Sequence, residues 1–262
     1  TPSAISHAIS TAEKELGFPL FNRNKNGVTL TSYGENLQPY ILTVLNSDAK
    51  LQQAILEFNG LTHGSVKIGT FSSACNNFIP DIVTTFSKLH PNIEIKIYQG
   101  TYDDVYNWIK TGVVDLGFLS ESSCKDLPIT ALYEDDLLCI VPKHFKTKHK
   151  NYIELTELDG QNFVSQSEST DADIQKLFQK YPLTIHSSCH VVDDLSTIAM
   201  VAAGLGVCIM PRLVMQNIPY EVDMYPLKPA EQRIIGICSL NPDLMAPAVK
   251  SMYKHILKYF QK

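Results

Sequence analysis

The residues Thr70, Phe71, Ser72 and Ser73 are the first candidates for chemistry, because they combine hydroxyl side chains with a strand-to-helix turn. They follow the apolar run 66–69, which predicts a strand, and they precede a helical pattern. Hydroxyls and the free backbone N–H groups of a helix start attract a carboxylate or another anion. The same hydroxyls also serve as ordinary helix caps, so both interpretations stay open.

Motifs of the common enzyme classes do not occur in this chain. We find no glycine-rich phosphate loop, no G-x-S-x-G nucleophile elbow and no H-E-x-x-H zinc motif. The acidic runs 103–104, 134–136 and 193–194 are more typical of solvated loops and helix caps than of acid–base pairs. We therefore predict no catalytic residue and no cofactor.

Cysteine and histidine spacing does not favour a metal site. The six cysteines are widely separated and form no C-x-x-C pair, which is typical of free thiols. His186 and His190 would lie about 13 Å apart on a strand, too far to bind one ion. One redox hypothesis concerns Cys75, since a position near a helix start would lower its thiol pKa. The alternative is that Cys75 is a small buried residue.

Composition and charge are those of an ordinary globular chain. The 262 residues, 44% hydrophobic and 19% charged, suffice for one large or two medium domains. The net charge of −5 does not itself indicate nucleic-acid binding. No apolar run approaches the ~20 residues that span a bilayer, and the first residues do not resemble a signal peptide. We expect a cytoplasmic protein without a membrane partner, and the missing initial Met indicates an incomplete N-terminus.

The first sixty residues predict a helix, a hairpin and a second, longer helix. Apolar residues at helical spacing stop at Gly17, and the polar run 22–27 is typical of a hairpin turn. The second helix is expected from Thr31, a good N-cap, to about Gly60, although Pro39 should disturb its first turns. Its coiled-coil positions are Leu37, Ile41, Val44, Asp48, Leu51, Ile55 and Phe58. We interpret it as a self-association helix; the alternative is an amphipathic helix packed on its own domain.

Beyond Gly64, short strand patterns alternate with helical ones, which predicts parallel strands joined by helices. The expected strands are 66–69, 93–97, 116–119, 137–141, 163–164, 191–192, 207–210 and 233–240. The expected helices are 78–89, 102–110, 172–179, 195–203 and 244–260. Two such cycles, joined near Val141 and again near Ile235, predict two lobes with a small-molecule cleft between them.

The N-terminal residues resemble the DNA-binding signature of LysR-type transcription regulators. The matching positions are Ser3-Ala4-Ile5-Ser6-His7-Ala8-Ile9, Glu13, Glu15-Leu16-Gly17, Pro19-Leu20-Phe21, Arg23, Gly27-Val28, Leu30-Thr31 and Gly34-Glu35. Residues 115–118 and 201–211 are similar to the two lobes of that family's effector region. The resemblance implies an α/β chain with a partial winged helix-turn-helix, a linker helix and a two-lobed periplasmic-binding-protein-like (type II) effector domain. It also implies that the chain starts at the recognition helix, without the helices that precede it in the family.

From this resemblance we expect a DNA-binding domain at 1–30, a linker and dimerisation helix at 31–60, effector subdomain I at 64–140 and 238–262, and subdomain II at 141–237. The expected partners are double-stranded operator DNA, a small-molecule effector and further copies of the chain, in a homodimer or homotetramer formed through the 31–60 helix. Binding of the effector would shift the population of lobe or dimer arrangements and so change how the DNA-binding segments sit on an operator.

The resemblance also implies site residues. A recognition helix places its N-terminal residues at base edges in the major groove. The implied DNA contacts are Pro2, Ser3, Ala4, Ser6 and His7, with Arg23 at a phosphate. The implied effector contacts are Thr70, Ser72, Ser73, Gly100, Thr101, Ser120, Ser165, Gln166 and Asp194. A solute-binding protein of transport and a metabolic enzyme share the two-lobed fold and are the alternatives.

Overall fold

Hydrophobic periodicity in the first thirty residues produces a helix followed by a hairpin. The computed structural model describes residues 1–24, 27–58, 64–167 and 172–261. Helix α1 (Pro2–Leu16) ends at Gly17, whose φ of 83° forms a left-handed cap. Strands β1 (Phe21–Asn24) and β2 (Gly27–Leu30) then pair in antiparallel fashion. The predicted helix and both predicted hairpin strands are confirmed; the turn residues 25 and 26 lie outside the described residues.

Helix α2 (Ser32–Phe58) begins where the sequence predicts, because the Thr31 hydroxyl accepts the Gly34 N–H at 3.0 Å. The same hydroxyl donates to the Pro19 carbonyl at 2.7 Å and so ties the helix to the segment before the hairpin. The expected disturbance at Pro39 is wrong, since α2 continues through it without a break. Pro39 is exposed, so water can reach the carbonyl that the missing N–H leaves unpaired.

A stripe of apolar side chains on α2 is exposed, and none of the described residues covers it. The exposed members are Tyr40, Ile41, Val44, Leu45, Leu51 and Ile55, each at least 45% exposed. The side chain of Phe58, the last expected coiled-coil position, lies outside the described part of the chain. Elsewhere on the helix, Asn46 donates to the Thr111 carbonyl at 2.8 Å and so fixes α2 against the domain that follows. In the described residues no helix combines the length and the hydropathy needed to cross a membrane.

The first lobe has a central sheet of parallel strands with helices around it. Its elements are β3 (Gly64–Thr70), α3 (Ser72–Asn77), α4 (Ile79–Leu89), β4 (Ile93–Gln99), α5 (Tyr102–Lys110) and β5 (Leu116–Ser120). The strand order is β4-β3-β5, and these pairs are parallel. The large fully buried side chains Ile68, Phe86 and Phe118 form the centre of its core.

The second lobe repeats the pattern on a smaller scale. Strand β6 (Ile129–Pro142) enters it and is followed by β7 (Ile153–Glu154), β8 (Asn162–Gln166), α6 (Ala172–Lys180), β9 (His186–Val191), α7 (Asp194–Ala202), β10 (Cys208–Pro211) and β11 (Val222–Lys228). Strands β8 and β9 are parallel, whereas β10 and β11 pair in antiparallel fashion with β6. Ile140, Leu158 and Ile198 lie at the centre of the second core.

The chain returns to the first lobe through β12 (Gln232–Cys238) and ends in α8 (Pro247–Phe260). Residues 129–136 of β6 pair with β12, and residues 137–142 pair with β10 and β11. The apolar residues of β12 belong to the first core. Strand β6 therefore changes its pairing partners between Asp136 and Leu137. The sequence predicts only the buried stretch 137–141 of β6, because residues 129–134 are exposed or half-buried and form no apolar run. It also does not predict β11, which is largely exposed or half-buried.

Candidate functional site

A cavity of about 370 Å³ lies between the two lobes. Its walls are Phe71, Ser72, Ser73, Gln99, Gly100, Thr101, Tyr102 and Asp104 from the first lobe, Val192, Asp193 and Asp194 from the second, and Arg233 from β12. The first wall consists of the segments that follow β3 and β4, whose carboxyl ends meet at one edge of the sheet. The cavity has the size and position of a small-molecule site.

The second segment of this wall is held by a capping box at the start of α5. The Thr101 hydroxyl accepts the Asp104 N–H at 3.1 Å, and the Asp104 carboxylate accepts the Thr101 N–H at 2.9 Å. The Gly100 N–H donates to the Thr70 carbonyl at 3.1 Å, which joins this segment to the end of β3. Hydrogen bonds within the chain therefore position both cavity-lining segments.

The floor of the cavity contains a buried ion pair. Arg233 is 4% exposed and Asp135 is 1% exposed. Arg233 donates to Asp135 Oδ2 from Nε at 2.9 Å and from Nη2 at 2.7 Å. Burial raises the pKa of the Asp135 carboxyl, and Arg233 offsets part of that shift. Burial alone would lower the pKa of Arg233, but Tyr102, Asp135 and Asp173 raise it, so the guanidinium stays charged.

A chain of hydrogen bonds runs from this ion pair into both lobes. Arg233 donates to the Ser73 hydroxyl at 2.8 Å and to the Tyr102 hydroxyl at 2.9 Å. Burial raises the pKa of Tyr102 well above its ordinary value, so the phenol stays protonated and donates to Asp173 at 3.1 Å. Asp173 lies on α6 of the second lobe and also accepts from Ser120 and Ser122 of the first. These bonds fasten the lobes together beside the cavity.

The second wall presents two adjacent aspartates with different surroundings. Asp193 is the N-cap of α7 and accepts the Ser196 N–H at 3.0 Å. Hydrogen bonding to the side chain of Ser196, and then to its backbone N–H, lowers the pKa of Asp193. Asp194 is half-buried and accepts one side-chain hydrogen bond, from Gln166 at 2.8 Å. Desolvation raises the pKa of Asp194, and the bond from Gln166 and the charge of Arg233 oppose the shift.

Five of the nine expected effector residues lie together in this cavity: Ser72, Ser73, Gly100, Thr101 and Asp194. Thr70 is fully buried and donates to the Phe71 carbonyl at 3.3 Å, outside the cavity lining. Ser120 lines a second cavity, of about 270 Å³, that shares Arg233 with the first. Ser165 and Gln166 line a third, of about 530 Å³, which shares Val192 with the first.

The sequence analysis missed Arg233 and Tyr102, and it treated Asp104 and Asp193 only as cap or loop residues. Asp193 is indeed a cap, but it also lines the cavity. A lone arginine in the otherwise apolar stretch of β12 was the available signal, since a buried cation requires an anionic partner.

The redox hypothesis for Cys75 is wrong in its premise. Burial raises the pKa of this thiol instead of lowering it, so the thiolate is disfavoured. Among the described residues no group of three or more His, Cys, Asp or Glu side chains could hold a metal ion. The side chain of His190 lies outside those residues.

The expected DNA contacts lie at the start of α1. Ser3, Ala4 and His7 are exposed. Ser6 is half-buried and accepts a hydrogen bond from Nη1 of Arg23 at 2.9 Å, so the hairpin and the helix meet at these two residues. The side chain of Pro2 lies outside the described part.

Two family models together match nearly the whole chain. The model for the LysR substrate binding domain matches residues 59–261. The model for the bacterial regulatory helix-turn-helix protein, lysR family, matches residues 1–35. A named relative is the uncharacterized HTH-type transcriptional regulator YvbU of Bacillus subtilis, 28% identical over 84% of this chain and 75% of that protein.

Solved structures share the fold. The effector binding domain of QuiR in complex with shikimate is 22% identical with a TM-score of 0.68, covering 76% of this chain and 98% of that one. Full-length CbnR complexed with its target DNA is 16% identical with a TM-score of 0.59, covering 97% of this chain and 88% of that one.

Changing Asp135 to Asn should strongly destabilise the chain, because it leaves the Arg233 guanidinium buried without an anion. We expect a loss of about 3–5 kcal/mol in the free energy of unfolding, measured by urea titration. The matched control is Asp136→Asn, whose exposed carboxylate binds Arg212 and should cost less than about 1 kcal/mol. Equal losses in the two variants would contradict the role of the buried pair.

Asp193→Asn and Asp194→Asn should change stability in opposite directions with pH. The raised pKa of Asp194 means that its contribution to stability is present at acid pH and is lost as pH rises through the folded-state pKa. Asp194→Asn should therefore melt higher than the wild type at pH 7 and converge with it toward pH 3–4, near the ordinary aspartate pKa of about 3.9.

Asp193 has a lowered pKa, so its contribution is present at neutral pH and is lost on acidification. Asp193→Asn should melt lower than the wild type at pH 7, with the difference again vanishing at acid pH. Melting curves at several pH values measure both variants, and differences of the same sign would refute this assignment.

Proposed function

Because the chain belongs to the LysR family of bacterial transcription regulators, we propose that it binds operator DNA through residues 1–30 and senses a small molecule in the cavity between its lobes. The main support for this proposal is the position of the cavity. It is lined from both lobes and from the strand that crosses between them, so a ligand there contacts every part that a change in lobe angle would move.

Effector contacts are proposed at Ser72, Ser73, Gly100, Thr101 and Asp194, which share the cavity. Gln166 would position Asp194 by donating a hydrogen bond to its carboxylate. Ser120 acts through its bond to Asp173, which closes the lobes against each other. Thr70 positions its segment through the Gly100 N–H, and Ser165 lies on the third cavity's wall. The solved effector domain of QuiR holds shikimate, which supports a small-molecule ligand for this fold.

DNA contacts are proposed at the start of α1. Ser3, Ala4, Ser6, His7 and Pro2 would face base edges in the major groove. Arg23, on the hairpin, would bind a phosphate while it orients Ser6. The structure of CbnR with its target DNA supports this arrangement for chains of this fold.

Self-association is proposed through α2, as a homodimer or a homotetramer. Its exposed apolar stripe would be buried against the same stripe of a second copy, which places two DNA-binding segments on one operator. We propose subdomain I at 64–136 with 232–261 and subdomain II at 137–231, following the strand pairing.

The effector would act by a population shift. A ligand that binds one lobe arrangement better than the other favours it, and the Asn46–Thr111 contact carries the change to α2. We propose that the protein regulates transcription in the cytoplasm and does not turn its ligand over. Steady conversion of a cavity ligand would instead indicate an enzyme.

Blocking the cavity should abolish ligand-induced stabilisation. A thermal-shift screen of organic acids, amino acids, amines and sugars should give a saturable rise in melting temperature, since 100-fold excess over Kd adds about 2.7 kcal/mol. Ser72→Phe fills the cavity and should remove the shift. Thr84→Phe places the same ring on an exposed face of α4 and should retain it. A shift that survives in Ser72→Phe would exclude this cavity as the site.

Arg23→Ala should weaken DNA binding uniformly across sequences. Duplexes selected from a random library on the full chain provide the probe, and fluorescence anisotropy at several salt concentrations measures affinity. Loss of one phosphate contact should reduce the salt slope by about one. Arg212→Ala, the same change in the second lobe, should leave the slope unchanged. An unchanged slope for Arg23→Ala would refute the phosphate contact.

A further inference from the structure

We propose that the ligand of the interlobe cavity is a small organic cation, an amine or guanidine compound, whose charged nitrogen binds Asp194. The inference rests on the proposed sensing function and deepens it. It follows from which charged groups line the cavity and which of them are already paired.

The charges that face the cavity are mostly negative. Among its described lining residues are three carboxylates, Asp104, Asp193 and Asp194, and one cation, Arg233. No described residue forms an ion pair with any of these three carboxylates. An anionic ligand would enter against this charge, and a cationic one would be attracted by it.

Arg233 has little capacity left for an anionic ligand. A guanidinium has five N–H donors. Four of the five already donate, two to Asp135 and one each to Tyr102 and Ser73. Its charge is compensated by the Asp135 carboxylate, and only 4% of the residue is exposed. Arg233 therefore stabilises the cavity floor through its hydrogen bonds, and its charge is not available to bind an anionic ligand.

Two of the three carboxylates are also committed to local structure. Asp104 accepts both the N–H and the hydroxyl of Thr101, at 2.9 and 2.8 Å. Asp193 caps α7 through the Ser196 N–H. Each therefore accepts a backbone N–H at the start of a helix, which stabilises its negative charge without a counter-ion. Asp194 is the first residue of α7 and lies near the same helix end as Asp193, but among the described residues no backbone N–H donates to its carboxylate.

Asp194 differs from these two because its only side-chain donor among the described residues is the neutral amide of Gln166. A half-buried carboxylate whose one side-chain donor is neutral lacks a positively charged partner that would compensate for its desolvation. It stands at the cavity wall, so a cation in the cavity reaches it directly. An ammonium or guanidinium nitrogen supplies the missing charge-assisted hydrogen bond.

The rest of the lining suits the remainder of such a molecule. Phe71, Tyr102 and Val192 offer apolar surface to a short carbon chain. Ser72, on the opposite lobe from Asp194, offers a hydroxyl to a second polar group. The Thr101 hydroxyl on the same lobe donates to Asp104, so it offers the ligand an acceptor only. A ligand that spans the two walls would hold the lobes at one separation, as the sensing mechanism requires.

Three probes with the same spacer and different end groups test this inference. Putrescine, 1,4-butanediol and adipate each have four methylene groups between their ammonium, hydroxyl or carboxylate ends. Agmatine, lysine and arginine extend the cationic set, and 2-oxoglutarate extends the anionic set. Calorimetric titration and thermal shift on the full chain should show saturable binding by at least one cation and tenfold or more weaker binding by its neutral or anionic counterpart.

Two matched variants test whether the carboxylate of Asp194 is the group that binds the cation. Asp194→Asn should weaken binding of that cation at least tenfold, whereas Asp243→Asn, an exposed aspartate outside the cavity lining, should leave it unchanged. Loss of binding in both variants would overturn the assignment to Asp194. Circular dichroism of Asp194→Asn confirms that the variant is folded.

The remaining outcomes separate this inference from the function on which it rests. Binding of an acid that Ser72→Phe abolishes would overturn the cationic ligand and leave the sensing cavity intact. Absence of saturable binding by every cation in the set would also overturn it. If the folded wild-type chain binds selected DNA but binds neither the acids nor the cations, the result would count against the sensing function itself.

Discussion

The buried Arg233–Asp135 ion pair is the constraint on which the two-lobed arrangement depends. Its residues lie on β12 and β6, the two strands that join the lobes, and register pairs them directly. Two charges removed from water must stay in contact, because the desolvation cost of either one alone is several kcal/mol. Asp135 also accepts the Leu213 N–H at 2.9 Å, from a turn of the second lobe. The pair therefore fixes the crossing strands and the adjacent lobe surfaces together.

This fixed point also connects the first two cavities. Arg233 lines both, and the bonds from Arg233 through Tyr102 to Asp173 pass between them. Asp173 belongs to the second lobe while its donors Tyr102 and Ser120 belong to the first. Any rotation of one lobe against the other must stretch these bonds or exchange them for water. The energetic coupling between ligand and lobe position thus has an identifiable set of contacts.

The sequence predicted most of the helices and strands and part of the candidate site. Helical periodicity and the caps Thr31 and Gly17 predicted the N-terminal unit. The strand-to-helix turn indicated Ser72, the family resemblance implied Thr101, and both line one cavity. It was not sufficient for Arg233, because the contacts that define that residue come from positions far away in the chain. Strand β6 was predicted too short for a related reason: pairing with β12, not hydrophobicity, holds its exposed first half in place.

The magnitude of the required coupling explains why the site needs both walls. Moving a two-state equilibrium from 1:99 to 99:1 requires about 5.5 kcal/mol of differential binding. One hydrogen bond to a charged group contributes about 1.5–3 kcal/mol. A contact with Asp194 alone therefore falls short, even if it is wholly lost in the other arrangement. The hydroxyls of Ser72 and Thr101 lie on the opposite lobe, so a ligand that bridges the cavity loses several contacts at once when the lobes move. In the proposed mechanism, the selectivity for ligand charge comes from Asp194, and the response to the ligand comes from contacts with both walls of the cavity.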